Sequence, residues 1–232
     1  MIKCLMVLLI SINFSLYAQV NADLLLKKAD DIRNPSDSFQ MKVNVHSTGD
    51  GEDSEFEVFI KGKDKTLIKT ILPRRDRGRN MLMLQENMWV FIPNLKREVR
   101  ISLAQKLTGQ TANGDLSRMR WHGDYEAKIS KEDASSYELA LTATKKGLTY
   151  DKITLWIDKK NNYPIKAEYL SLSGKKLKEA IFSDYKEMAG GMRPTKILIK
   201  DALNNKETSL LTIIEMKAKN FPDSFFVREN LQ

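Results

Sequence analysis

Two histidines, one cysteine and a run of arginines are the residues whose chemistry is simplest to name in this 232-residue chain. A metal centre needs three or four ligands held together. His46 lies in "SFQMKVNVHS" and His122 in "SRMRWHGDY", with no HExxH and no cysteine pair, so metal binding has no support. Nucleophilic catalysis has little more. There is no GxSxG, and His122, Asp124 and an arbitrary serine form a triple of the kind that arises by chance in most chains. Without a Walker-type loop or GxGxxG, no nucleotide cofactor is expected and the chain does not read as an enzyme. The arginines of "RRDRGR" are different, because guanidinium forks match the oxygens of phosphate and carboxylate groups.

Directly after that run stand two almost wholly apolar stretches, "MLML" and "MWVFI", parted by a polar turn. Paired as a hairpin turning at Glu86 and Asn87, they set Leu84 opposite Trp89 and Leu82 opposite Phe91 on one face. Met81, Met83, Met88, Val90 and Ile92 take the other face. Both faces are apolar, so both must be covered. A central core strand pair and the wall of an apolar cavity are both compatible with that pattern. The three methionines favour the second on their face, since flexible thioether chains suit a surface that repacks around varied apolar partners.

Such residues need a scaffold, and the rest of the chain specifies strands. In "SFQMKVNVHS" the residues Phe39, Met41, Val43 and Val45 alternate with polar ones, the period of a strand with one wet face. The alternation recurs in "SEFEVFIKG", "SYELALTAT", "DKITLWID" and "RPTKILIKD", separated by turn signals such as "DKKNNYP", "LSGKK" and "MAGGM". Ten or eleven short strands without helical crossovers imply an antiparallel meander that stacks on a second sheet or curls. A helix is expected over Asp23 to Arg33, with Leu25, Ala29 and Ile32 in register, and a broken helical segment from Ser102 to Trp121. In the latter, Leu103 and Leu107 are four apart, Gly109 ends the first piece, and Asn113 or Asp115 caps the second.

Lys3 followed by an apolar run to Ile12, with small residues at Ala18 and Ala22, reads as a cleaved export signal over residues 1–22. The single cysteine, Cys4, lies inside it, so the mature chain, a single domain over 23–232, carries no thiol. Export places the protein in an envelope compartment, where nucleic acid is not the partner. Residues 61–120 carry a net charge of +9 against +8 for the whole chain, so the remainder sums to −1. In an envelope, lipid headgroups and other phosphates are the abundant anions.

The stretches "DRGRNMLML", "MWVFIPNLKREVRIS", "LAQKLTGQTANGDLSRMRWHGDYEA", "YPIKAEYLSLSGKKLK", "GGMRPTKI" and "FPDSFF" occur in order and together resemble the outer-membrane lipoprotein-sorting protein family, within the LolA/LolB-like superfamily. The resemblance covers about residues 38 to 231 and is strongest from Asp76 to Asp124. It implies an incomplete antiparallel β-barrel of about eleven strands wrapped over a few helices that act as a lid, enclosing an apolar cavity for acyl chains. One departure is visible: the sorting chaperone has an arginine on an early strand that bonds its lid closed, whereas "VFIKGKDKTLIK" offers only Gly62 flanked by Lys61 and Lys63.

On this resemblance the protein is expected to be a monomeric periplasmic carrier that touches membranes transiently and works with a membrane partner, an RND-type exporter. Met81, Met83, Met88, Val90, Ile92, Leu103, Leu107 and Met119 are expected to contact lipid tails. Arg75, Arg77, Arg79, Arg97 and Arg100 are expected to meet an anionic headgroup or an acidic partner. The competing expectation is a module that binds no lipid and docks such an exporter, or a sensor, through its basic face.

Overall fold

The computed structural model describes residues 20–34, 36–48, 52–204 and 206–232; apart from residues 20–22, the expected export signal, with Cys4, lies outside these. Helix α1 (Ala22–Arg33) precedes strands β1 (Ser38–Ser47), β2 (Ser54–Lys61), β3 (Lys65–Leu72), β4 (Met81–Leu84), β5 (Asn87–Ile92) and β6 (Arg97–Ile101). A small hairpin, β7 (Lys106–Thr108) and β8 (Thr111–Ala112), leads into α2 (Asn113–Ser117). The second half is strands alone: β9 (Tyr125–Glu132), β10 (Ser136–Ala143), β11 (Lys152–Asp158), β12 (Pro164–Leu170), β13 (Lys176–Met188), β14 (Gly191–Asp201) and β15 (Thr208–Ala218).

Thirteen strands form one antiparallel sheet in the order β6-β5-β4-β3-β2-β1-β15-β14-β13-β12-β11-β10-β9. The expected meander is therefore present as two wings joined where the first strand pairs with the last. The edges β6 and β9 are not paired with each other, so the curl stays open as an incomplete barrel. The sheet has thirteen strands against the expected ten or eleven, and the hairpin β7–β8 stands apart from it. Alternation sets the core: Phe39, Met41, Val43 and Val45 of β1 all point into it, while their polar neighbours stay outside or half-covered.

Helix α1 forms where expected. Asn21 caps it, its side chain accepting from the Leu24 N–H at 3.1 Å, and Asn34 ends it. It lies against β14 and β9 on the concave side of the sheet. Its buried face is Leu25, Leu26, Ala29, Asp30 and Arg33, with Ile32 only half-covered. The segment from Ser102 to Trp121 departs from expectation. Its first piece is not helical: Leu107 lies in β7, Gly109 turns the hairpin at φ +49°, and only α2 is helix. The threonines flanking that glycine favour strand, and bonds to the β2 and β15 ends hold it there.

The hairpin β4–β5 is covered on both sides by different groups. Met81, Met83, Met88 and Val90 belong to the main core inside the curl. Leu82 joins Phe59 and Leu67 in a second core on the outer side, with Leu84, Trp89 and Phe91 half-buried against it. That outer core is closed by the C-terminal segment, which lays Phe221, Phe226 and Leu231 over the sheet. Asn80 Nδ2 donates to the Leu231 carbonyl at 3.1 Å, and Asp223 accepts from Lys61 and Lys65 at 2.7 and 3.0 Å. The register differs from the expected one by two residues: Leu82 faces Trp89, Met83 faces Met88, and the turn is Gln85–Glu86. A slip of two keeps every side chain on its face.

Candidate functional site

The concave side of β2–β6 does not close fully on the hairpin β7–β8. Between them lies a cleft of about 410 Å³, inside the ~300–1,000 Å³ range of small-molecule sites. Phe56 of β2, Leu72 of β3, Met81 of β4, Val90 of β5, Ile101 of β6 and Leu107 of β7 form its apolar wall, and Ser54, Thr70, Gln105, Thr108 and Asn113 a polar one. Each strand contributes through its inward-facing register position, so the lining follows directly from the alternation. Arg79, Asp76 and Lys106 stand at its edge.

The cleft is continuous with a polar vestibule of about 510 Å³, since Ser54, Pro73, Asp76, Lys106 and Thr108 border both. Arg75 enters the vestibule and donates to Glu52 Oε1 at 2.6 Å, while Arg79 lies 3.7 Å from Asp76. Among the described residues Arg75, Arg79 and Lys106 are offset by Glu52, Asp76 and Glu207, so the mouth is close to neutral.

Polar bonds hold the tip of the hairpin over the cleft, while Thr111 and Ala112 of β8 are buried and Leu107 packs against the main core. Thr108 Oγ1 meets Ser54 Oγ at 3.1 Å, the Gln110 N–H donates to Ser209 Oγ at 2.7 Å, and Lys178 Nζ donates to the Gln110 carbonyl at 2.5 Å. Gly109 lets the tip approach this closely, because a Cβ there would fall 1.9 Å from Ser47 Oγ.

Of the residues expected to meet lipid tails, Met81, Val90 and Leu107 line the cleft. Met83, Met88, Leu103 and Met119 lie deeper, buried in the main core, and Ile92 is half-buried beside it without lining the cleft. Of the arginines, Arg79 borders the cleft and Arg75 the vestibule. Arg97 pairs opposite Ile92 on the edge strand, Arg100 pairs opposite Trp89 on the outer face and contacts Asn87, and Arg77 is exposed in the β3–β4 connection. The structure therefore brings five of the thirteen to one place. It adds Phe56, Leu72 and Ile101, of which Phe56 was legible as an inward strand position.

A second, charged feature went unread. Asp30 is 1 % exposed, and its Oδ2 accepts the backbone N–H groups of Trp121 and His122, both at 2.6 Å. This fastens α1 to the chain after α2. Burial pushes the Asp30 carboxyl up to about 6, against the opposing pull of Arg33 and the two N–H donors. Arg118 ties the same segment down from the other side: its fork donates to Asp124 at 2.5 and 2.8 Å and to the Gln85 carbonyl at 2.7 Å. The signal for Asp30 and Arg33 was their spacing from Leu26 and Ala29, which puts them on the helix's apolar face.

A family profile described as an uncharacterized protein matches residues 62–232. Comparison with curated proteins finds no match. Among solved structures, a LolA superfamily protein from Nitrosomonas europaea is 36% identical, with a TM-score of 0.86 over 91% of this chain and 99% of that one. An outer membrane lipoprotein-sorting protein domain from Vibrio parahaemolyticus shares the fold at 19% identity, TM-score 0.74, over 90% of this chain and 97% of that one. A DUF1329 family protein from Desulfovibrio piger does so at 21% identity, TM-score 0.76, again over 90% and 97%.

Proposed function

From the premise that this chain belongs to the LolA superfamily, we propose that it is a periplasmic carrier, exported by a cleaved signal, that shelters the acyl chain of a lipid or lipoprotein and performs no catalysis. The observation that carries the proposal is the cleft of about 410 Å³, one wall of which is the apolar row Phe56, Met81, Val90, Ile101 and Leu107, under a hairpin whose tip is held by polar bonds. Burying hydrocarbon stabilises the complex by about 0.8 kcal/mol per methylene, so a chain only part-way inside binds usefully. The hairpin supplies reversibility. With the hairpin in place the cleft is about 410 Å³; when the hairpin opens, Leu107 leaves the cleft and the inner core at Met83 and Met88 becomes the floor. Flexible methionine side chains let that floor repack around tails of different length.

The carrier passes its cargo between membranes or to and from a membrane exporter of the RND type, touching the bilayer transiently and acting as a monomer. The exposed arginines Arg77 and Arg97, which make no ion pair among the described residues, suit contact with an acidic partner or headgroup. The test is mass spectrometry of lipids extracted from protein purified out of the periplasm. Stoichiometric acylated lipid is expected, and its loss is expected in Leu107→Asp, which sets a charge against the tail. Lipid-free protein that binds an exporter in a salt-sensitive way overturns the carrier reading and supports a docking module instead.

A further inference from the structure

The strand connections leave the sheet at two ends. Because neighbouring strands are antiparallel, residues 48–53, 73–80, 93–96, 144–151, 171–175 and 202–207 all connect at one end, and on a curled sheet they form one rim. The polar vestibule opens on this rim, bordered by Glu52, Pro73 and Glu207 from three of the connections. A Cβ on Gly78 would sit 3.4 Å from Pro93 Cγ, so the arginine-bearing connection 73–80 lies against 93–96.

The three most exposed large apolar side chains among the described residues stand on this rim: Leu95 at 56 %, Leu172 at 73 % and Leu203 at 80 %. The connections at the opposite end, 62–64, 85–86, 133–135, 159–163 and 189–190, present none. A single exposed leucine is ordinary on a protein surface; three confined to one end are not scatter. Nor does leucine serve the turns that carry it, which are made by their polar groups. The Gly174 N–H donates to the Ser171 carbonyl at 2.9 Å, the N–H groups of Leu203 and Asn204 both donate to Asp201 Oδ1 at 2.8 Å, and the Lys96 N–H donates to the Pro93 carbonyl at 3.1 Å.

Cations accompany each leucine. Arg74, Arg77, Lys96 and Arg97 lie in the two packed connections and the start of β6 with Leu95, Lys175 ends the turn of Leu172, and Lys206 follows Leu203. All six are exposed and make no ion pair among the described residues. The carboxylates at the vestibule are already engaged: Glu52 by Arg75 at 2.6 Å, Asp76 by Arg79 at 3.7 Å and Glu207 by the Gln110 amide at 2.8 Å.

We infer that this rim docks on an anionic lipid bilayer, its three leucines entering the headgroup region while the six cations meet lipid phosphates. Apolar area and opposite charge act together in such contacts. A bilayer suits leucines on separate turns, because it needs no set of matching pockets. The inference deepens the carrier reading, on which the reason for docking rests: a docked rim opens the vestibule at the membrane surface. Leu72, exposed at the same end and bordering the cleft, continues the apolar path inward.

The test is flotation of the full mature chain with vesicles of phosphatidylcholine, alone or with about a quarter phosphatidylglycerol. Binding is expected with phosphatidylglycerol, weakened about tenfold by high salt or by Leu172→Ser/Leu203→Ser. Met192→Ser, exposed at the opposite end, is expected to bind as wild type. Exposed substitutions of this kind leave the fold intact, so unchanged melting temperatures are expected alongside. An NBD dye on Leu95→Cys, Leu172→Cys or Leu203→Cys is expected to brighten on the anionic vesicles and one on Met192→Cys to stay dim; equal brightening at both ends, or none, overturns the rim. Equal binding to neutral vesicles overturns the role of the cations, and no binding to either kind overturns the bilayer in favour of an acidic protein. Acyl lipid extracted from the same protein is scored separately. Docking without co-purified lipid overturns the carrier reading while the rim stands; lipid without docking does the reverse.

Discussion

Asp30 shows how one side chain couples the position of a helix to pH. Its carboxyl has an unfolded value of 3.8 and is raised to about 6 in the folded chain, mainly by burial. The unprotonated form is therefore the costly one in the fold. The stabilisation associated with a neutral Asp30 is fully present below pH 3.8 and is lost as pH rises through 6, a change of about 3 kcal/mol. Asp30→Asn retains an acceptor for Trp121 and His122 and carries no charge, so urea unfolding between pH 4 and 7 is expected to give a flatter stability profile than wild type. An unchanged profile means that Asp30 is not the group responsible. Asp30 also shows where legibility ended at this scale. Charged residues on a helix normally face water, so the spacing of Asp30 from Leu26, which sets it on the apolar face, is outweighed by its residue type, whereas for Phe56 and Met81 type and alternation agree.

Among the elements, the hairpin β7–β8 borders the cleft, and the proposed carrier opens there. Ser54 and Thr108 touch across its seam at 3.1 Å, and the mature chain is expected to have no cysteine of its own. Oxidised Ser54→Cys/Thr108→Cys is expected to shut out lipid, and reduction to restore uptake; uptake unaffected by oxidation shows that ligand enters elsewhere. Gly109→Ala tests the tip. Its new Cβ collides with Ser47 and Ser209 at a positive φ, so faster uptake and release are expected, with global stability lowered by about 1–3 kcal/mol. This element was also the hardest to read. Leu103 and Leu107 have helical spacing, yet Leu103 is buried in the core while Leu107 hangs from a strand over the cleft, a placement set by tertiary contacts that no local period encodes. By contrast, the two faces of β4–β5 were correctly separated although the register was off by two, because the sheet's period of two forgives even slips and the Gln85–Glu86 turn lacks an Asn-Gly signature.

At the scale of the whole molecule, the sheet has two cores with different duties. The outer one, sealed by the C-terminal segment, is a close aromatic cluster in which Phe59 and Phe221 meet edge to face at 5.7 Å. It packs the hairpin β4–β5 from behind, while Met81 and Val90 on the inner face form part of the cleft wall. Phe221→Ala is expected to cost about 3–5 kcal/mol of stability in thermal or urea unfolding while leaving lipid preference unchanged in the folded fraction. A change in preference without destabilisation contradicts this division. The measurement that tests the central claim most directly is photo-crosslinking with a fatty acid carrying a diazirine in its chain, followed by peptide mapping. Label on Met81, Val90, Ile101 and Leu107 is the expected result; label confined to Trp89, Phe91 and the C-terminal phenylalanines, or spread without preference, contradicts it.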